Sequence, residues 1–228
     1  MQILITAGGT REYIDPVRFI SNASSGRMGY ALARAALRAG HKVTLITAPT
    51  ALRPPAGAQV VHVESAAEML EAVKEHFPDC DCLIMAAAVA DYTPKRPART
   101  KIKKQAAGFT IELKPTRDIL KWAGKHKHVG WGLPHRKQPA RAGKTAVEHR
   151  PKIVVGFALE DRDLRANAER KLREKNLDMI VANKPLVIGA GKSTVHIKTL
   201  TSDWIEVANV SKGTIAGRII SLIERQRA

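Results

Sequence analysis

Arg18 and Asn22 stand in the segment Arg18-Phe19-Ile20-Ser21-Asn22-Ala23-Ser24-Ser25-Gly26, which follows an apolar run and the turn Ala7-Gly8-Gly9-Thr10. An asparagine offers amide donors and a carbonyl acceptor without titrating. Such a group can hold a developing oxyanion; it can equally form an Asx-turn or cap a helix. Glycines at 8 and 9 let the backbone approach a ligand closely. With the helix start near Gly26 they could cradle an anion, or make a plain strand-to-helix turn. The run Ala86-Ala87-Ala88-Val89-Ala90-Asp91-Tyr92 ends apolar sequence in small residues and then a carboxylate. Asp91 could read a base or ribose or hold Mg²⁺, or cap a turn. Lys101-Ile102-Lys103-Lys104 could clamp phosphates on a closing flap, or be a solvated charge run. At about 100° per residue, Lys171 and Lys175 fall about 20° either side of Leu164, on the apolar edge of their helix. Lysines so placed either snorkel or face a cleft holding an anion.

These residues need a frame, and the apolar pattern predicts one. Ile3–Thr6, Lys42–Thr47, Val60–Val63, Leu83–Ala87, Ile153–Ala158 and Met179–Ala182 read as strands. Gly26–Ala39, Ala66–Phe77 and Leu164–Lys175 read as helices between them. That alternation predicts an α/β fold, a Rossmann-like, mostly parallel sheet with right-handed crossovers. Ser193–Lys198 and Trp204–Val207 predict a C-terminal antiparallel extension, closed by a helix over Ser211–Arg225. The proline-broken stretch of about 92–116 reads as a flap with a hairpin at Phe109–Leu113, and the basic stretch of about 124–150 as a loop insertion. All 228 residues are expected to form one domain.

Composition narrows the function classes. The formal charge of +17 admits nucleic acid or small polyanions as partners. Only 4% of residues are aromatic, poor material for stacking on single-stranded bases. There is no run of 18 apolar residues and no basic-then-apolar leader, so neither a membrane span nor export is expected. Cys80 and Cys82 are too close to staple a fold, and a reducing cytoplasm is the expectation. A dinucleotide fingerprint wants a tight G-x-G-x-x-G turn and an acid ending the second strand. Here residues 7–25 intervene and that strand ends in Thr47-Ala48-Pro49, so a nicotinamide-dependent reductase fits poorly.

The pieces ITAGGTREYIDPVRFISNASSGRMG, AAAVADY, KIKK, DIL, VGFALE and KLREKNLDMIVAN, in that order, make the chain resemble bacterial phosphopantothenate–cysteine ligase (phosphopantothenoylcysteine synthetase). The resemblance covers residues 2–120 and 152–183 and, loosely, the tail. It implies a step of coenzyme A biosynthesis. The carboxylate of 4′-phosphopantothenate attacks the α-phosphate of CTP, and the amine of L-cysteine then displaces CMP from an acyl-cytidylate. By the same resemblance Asn22, Arg18 and Lys101 are catalytic. Gly8, Gly9, Ala87, Ala88, Asp91, Lys101, Asp118, Ile119, Phe157, Lys171 and Lys175 meet the nucleotide, and Ser24, Ser25, Gly26 and Met28 meet the acyl substrate. It further implies Mg²⁺ with CTP, no dedicated protein metal site, a homodimer, and a separate decarboxylase as a further partner. Because the chain starts directly at the synthetase motif, no FMN is expected. Where the family usually reads Asn/Thr-Pro-Asp-Ile-Leu, this chain has Thr116-Arg117-Asp118-Ile119-Leu120. The rival readings are a basic nucleic-acid-binding protein and a Rossmann-type NAD(P)-dependent reductase.

Overall fold

Apolar runs bounded by glycine and proline become strands, and the amphipathic runs between them become helices. A computed structural model describes residues 1–104, 108–128, 152–184 and 191–227. In chain order the first half contains β1 (Gln2–Ala7), β2 (Arg11–Tyr13), β3 (Phe19–Ser21), α1 (Arg27–Arg38), β4 (Lys42–Thr47), β5 (Gln59–His62), α2 (Ala66–His76) and β6 (Cys82–Met85). The second half contains β7 (Tyr92–Pro94), β8 (Leu113–Pro115), α3 (Ile119–His126), β9 (Ile153–Leu159), α4 (Leu164–Glu174), β10 (Met179–Asn183), β11 (Lys192–Thr199), β12 (Ile205–Ser211) and α5 (Lys212–Arg227).

One eight-stranded sheet runs in the order β12-β11-β10-β9-β6-β1-β4-β5. From β5 to β10 every pairing is parallel, and β10–β11 and β11–β12 are antiparallel. The expected Rossmann-like sheet and its antiparallel extension are therefore both present. Parallel strands are covered on both faces, and β1 shows how. Its Ile3, Ile5 and Ala7 pack with α1 and α5, through Leu32, Ala36, Ile219 and Ile223. Leu4 faces the opposite layer of α2, α3 and α4, with Met69, Val73, Ala123 and Leu172. Each such aliphatic side chain contributes about 1.5–3 kcal/mol by leaving water. Gly29 brings α1 down onto β1: a Cβ there would stand 2.5 Å from that of Ala7.

Two local expectations are corrected, and the 7–25 connection carries structure of its own. Within it β2 and β3 pair antiparallel, Arg11 opposite Ser21. The flap hairpin is built from β7 and β8, Tyr92 opposite Pro115, so its returning strand lies at Leu113–Pro115 rather than Phe109–Leu113. Residues 124–126 of the expected basic loop belong to α3, which the sequence reading left out. Asp118 caps that helix by accepting from the Lys121 amide at 2.9 Å, and Ile119, Leu120 and Ala123 bury its inner face. Asn176 closes its far end by donating to the Gly124 carbonyl at 2.8 Å. The rest of the basic stretch, 129–150, lies outside the described residues. Among the described residues no helix is long and apolar enough to cross a membrane.

Candidate functional site

Strands that run in parallel end on one edge, and the loops there form the ligand crevice of an open α/β sheet. β1, β6, β9 and β10 end on this edge; β11, being antiparallel to β10, begins on it. A cavity of about 830 Å³ opens there, within the 300–1,000 Å³ usual for small-molecule sites.

One wall is the segment from Asn22 to Met28, which enters α1. Behind it the glycine turn is buried. Gly8 holds φ at 82°, and a Cβ on it would meet the Ala48 carbonyl at 2.8 Å. Gly8 and Gly9 do not line the cavity; they support its floor. The Gly8 carbonyl accepts from the Ala88 amide at 2.8 Å, and the Thr10 hydroxyl from the Ala90 amide at 2.9 Å. Asn22 completes this knitting. Its side-chain amide donates to the carbonyls of Ala88 and Val89, each at 3.2 Å. Both protons that could have met an oxyanion are thus directed at the floor loop, and Oδ1 remains as an acceptor. Ala87, Ala88 and Asp91 line the cavity from that loop.

The opposite wall comes from the N-terminus of α3, the end of β9 and the last turn of α4. Asp118 and Ile119, Phe157, and Lys171 and Lys175 all reach it, as the sequence anticipated. Lys175 pairs with Asp118 at 2.8 Å. Burial pushes the Asp118 carboxyl up, but Lys175 and the Lys121 amide outweigh it and hold the group below the usual carboxylate range. Lys171 donates to the Phe157 carbonyl at 2.6 Å. Burial, with the Lys175 cation behind it, lowers the Lys171 pKa.

Of the other anticipated residues, Ser24, Ser25, Gly26 and Met28 line the cavity. Arg18 and Lys101 do not. Arg18 pairs instead with Asp15, whose side chain is fully buried. The Asp15 carboxylate accepts from the amides of Val17 and Arg18 at 2.9 Å and of Ile102 at 3.1 Å, and Arg18 donates onward to the Ile102 carbonyl. Burial would raise the Asp15 pKa, but these donors together drive it far below the ordinary value. The pair therefore holds the flap at the residue next to Lys101. Sequence reasoning missed Asp15, and also Arg27, Asn183, Ser193 and Lys212, which are among the residues lining the cavity. An acid two residues before Val17 in a turn was the only local sign of the first; the others have none.

Among the described residues no group of three or more His, Cys, Asp or Glu side chains could hold a metal unaided. Mg²⁺ that arrives with phosphates needs only one or two protein carboxylates, and the exposed Asp91 at the cavity wall fits that demand. Cys80 and Cys82 are buried free thiols, and burial pushes Cys80 up to about 12, so neither is a nucleophile at neutral pH.

The family model described as the DNA/pantothenate metabolism flavoprotein C-terminal domain matches residues 1–145 and 140–226. The chain belongs to this family. A coenzyme A biosynthesis bifunctional protein CoaBC of Bacillus subtilis is 46% identical over 190 residues, covering 83% of the chain and 41% of that relative. The chain thus spans under half the length of that relative. The crystal structure of the C-terminal domain of a CoaBC protein superposes with a TM-score of 0.78 at 40% identity, over 99% of the chain and 94% of its own. A Cab2 mutant in complex with phosphopantothenate-cysteine, 16% identical, shares the fold with a TM-score of 0.73 over 98% of the chain and 86% of its own.

Proposed function

We propose that the chain is a phosphopantothenate–cysteine ligase of coenzyme A biosynthesis, and that it activates its acid with CTP. One observation carries the reading. The segments 22–28, 87–91, 118–119, 157 and 171–175, far apart in sequence, line one cavity in a chain of the flavoprotein C-terminal domain family. In the first half-step an oxygen of the 4′-phosphopantothenate carboxylate attacks the α-phosphorus of CTP. The bond to the β-phosphate oxygen breaks and pyrophosphate leaves. In the second, the cysteine amine attacks the acyl carbon, the bond to the CMP oxygen breaks, and the nitrogen loses its proton.

The residues divide the work. The α1 N-terminus and the segment 24–28 receive an anion. Phe157, Ile119 and the small residues 87–88 give the nucleotide apolar surface. Lys101, on the flap, approaches the phosphates as the flap closes. Asp91 would hold Mg²⁺, which supplies charge neutralisation for the triphosphate. Asn22 fixes the floor loop through its amide protons and accepts from the attacking amine through Oδ1. A nicotinamide reductase has less support: at the end of β4 stands Thr47, buried and bonded to Tyr30 at 3.2 Å, where that function needs an acid for the ribose. The test is pyrophosphate release from CTP, dependent on both 4′-phosphopantothenate and Mg²⁺. Protein that consumes neither CTP nor ATP under those conditions is not this ligase.

A further inference from the structure

The floor loop from Ala88 to Asp91 ends in the carboxylate that meets the nucleotide in the proposed reading, and its main chain is held from two sides. The first side is the segment that follows β1. Thr10 is fully buried. Its amide donates to the Ala88 carbonyl at 3.2 Å, and its hydroxyl accepts from the Ala90 amide at 2.9 Å. Its own carbonyl accepts from the Ser21 hydroxyl at 2.8 Å, one residue before Asn22. The second side is Thr116, to which the proposed steps give no part. Its hydroxyl donates to the Ala90 carbonyl at 2.7 Å, and its amide donates to the Asp91 carbonyl at 2.9 Å.

Ala90 is 5% exposed, so both of its main-chain groups need partners inside the protein. Two threonine hydroxyls supply them, one at the N–H and one at the C=O. The peptide that joins Ala90 to Asp91 is thereby fixed at its oxygen. The Asp91 side chain is exposed and makes no hydrogen bond among the described residues, so its placement rests on that main chain. Thr116 also belongs to the opposite wall. Tyr92, next after Asp91, pairs with Pro115 in the β7–β8 ladder. Pro115 has no N–H to give, and the Thr116 amide makes the bond one position on. Two residues later Asp118 caps α3. One side chain therefore ties together the floor loop, the base of the flap and the start of α3. Groups that meet a ligand depend on such support from behind for their position.

We infer that Thr116 is a positioning residue for nucleotide binding. Its hydroxyl closes the bracket that Thr10 opens around Ala90, and so holds Asp91 at a fixed place relative to Asp118 and Ile119. The nucleotide's part in this rests on the ligase reading; the bracket itself does not.

The experiment compares the full chain with Thr116→Val, Thr116→Ser, Asp91→Asn and the double variant of Thr116→Val with Asp91→Asn. Valine keeps the shape and removes the donor, whereas serine keeps the donor. KM is measured for CTP, 4′-phosphopantothenate and cysteine, CTP and ATP are titrated by calorimetry, and hydrogen exchange is followed in the peptide 87–92. Thr116→Val is expected to raise KM for CTP about three- to ten-fold, the size of one hydrogen bond. KM for cysteine stays unchanged, exchange in the peptide quickens, and Thr116→Ser recovers most of both effects. Because Thr116 acts through Asp91, the two substitutions are expected to be non-additive, the double variant handling CTP about as Asp91→Asn does. Thr116→Ala removes the same donor and carries the test should Thr116→Val fail to fold. Additive effects on KM for CTP, or faster exchange with every KM unchanged, overturn the positioning role. Wild-type protein that turns over neither CTP nor ATP loses the ligase reading, and the calorimetric Kd then decides. A Kd raised by Thr116→Val and restored by Thr116→Ser keeps the positioning role; an unchanged Kd, or no nucleotide binding at all, ends it.

Discussion

The two ends of the cavity solve the burial of charge in opposite ways. At the α3–α4 end two lysines meet acceptors of the chain itself: Lys175 meets Asp118, and Lys171 meets a main-chain carbonyl. At the β11–β12 end burial and the neighbouring Arg27 cation hold the Lys212 ammonium below the ordinary lysine range. The first end pairs its lysines with acceptors of the chain itself; the second sets two like charges close together at the starts of α1 and α5.

The largest effect is expected from Asn22, which ties the 22–28 wall to the floor loop. Asn22→Ala frees the floor loop at Ala88 and Val89 and deletes the acceptor for the amine. Amide formation is expected to fall about 10²–10³-fold, the usual loss for one preorganised polar group at a reacting centre, with pyrophosphate release from CTP continuing and acyl-cytidylate accumulating. Normal turnover would sink the role. Next comes Lys171→Met, which strips a donor from the Phe157 carbonyl in a half-buried setting. Urea unfolding should show a loss of about 0.5–1.5 kcal/mol, the net contribution of one hydrogen bond; no loss would mean the end is not built on that bond. The Asp118–Lys175 pair is partly exposed, so a double-mutant cycle should return only about 0.2–1 kcal/mol. Because the Asp118 pKa is lowered on folding, that stabilisation is full above about pH 4 and fades as pH falls toward the depressed value; a pair equally strong when protonated would contradict the assignment. The smallest effect on the sheet, though local to the flap, is expected of Asp15→Asn. Limited proteolysis should cut 95–112 faster in the variant at neutral pH, while the wild type approaches it only in acid, below the ordinary carboxylate range. Equal cleavage at neutral pH would refute the latch.

The frame was legible wherever a residue run carried its own period. Lys42–Thr47 was read with the bounds the structure shows, since an apolar strand lies there between Gly40 and Pro49. Three-residue strands such as Arg11–Tyr13 are too short to show alternation, and α3 was hidden in a stretch rich in lysine and histidine, with a glycine inside it. For the cavity, local motifs identified the residues that follow β1 and β6 and those on α4. Lys212 and Ser193 left no such trace. Only the order of the strands brings them beside Arg27, more than 160 positions earlier in the chain. Arg18 and the two glycines carry the motif's signal, and in the structure they hold other segments: Arg18 the flap at Ile102, Gly8 the floor loop at Ala88.

The Asp15 anchor grips the flap by the amide and, through Arg18, the carbonyl of Ile102. It recognises main chain, not a side chain. Substitutions at 101, 103 and 104 can therefore drift in size and charge without moving the pivot on which the flap swings. Proline at 102 is the exception, because it alone lacks the hydrogen that the anchor needs.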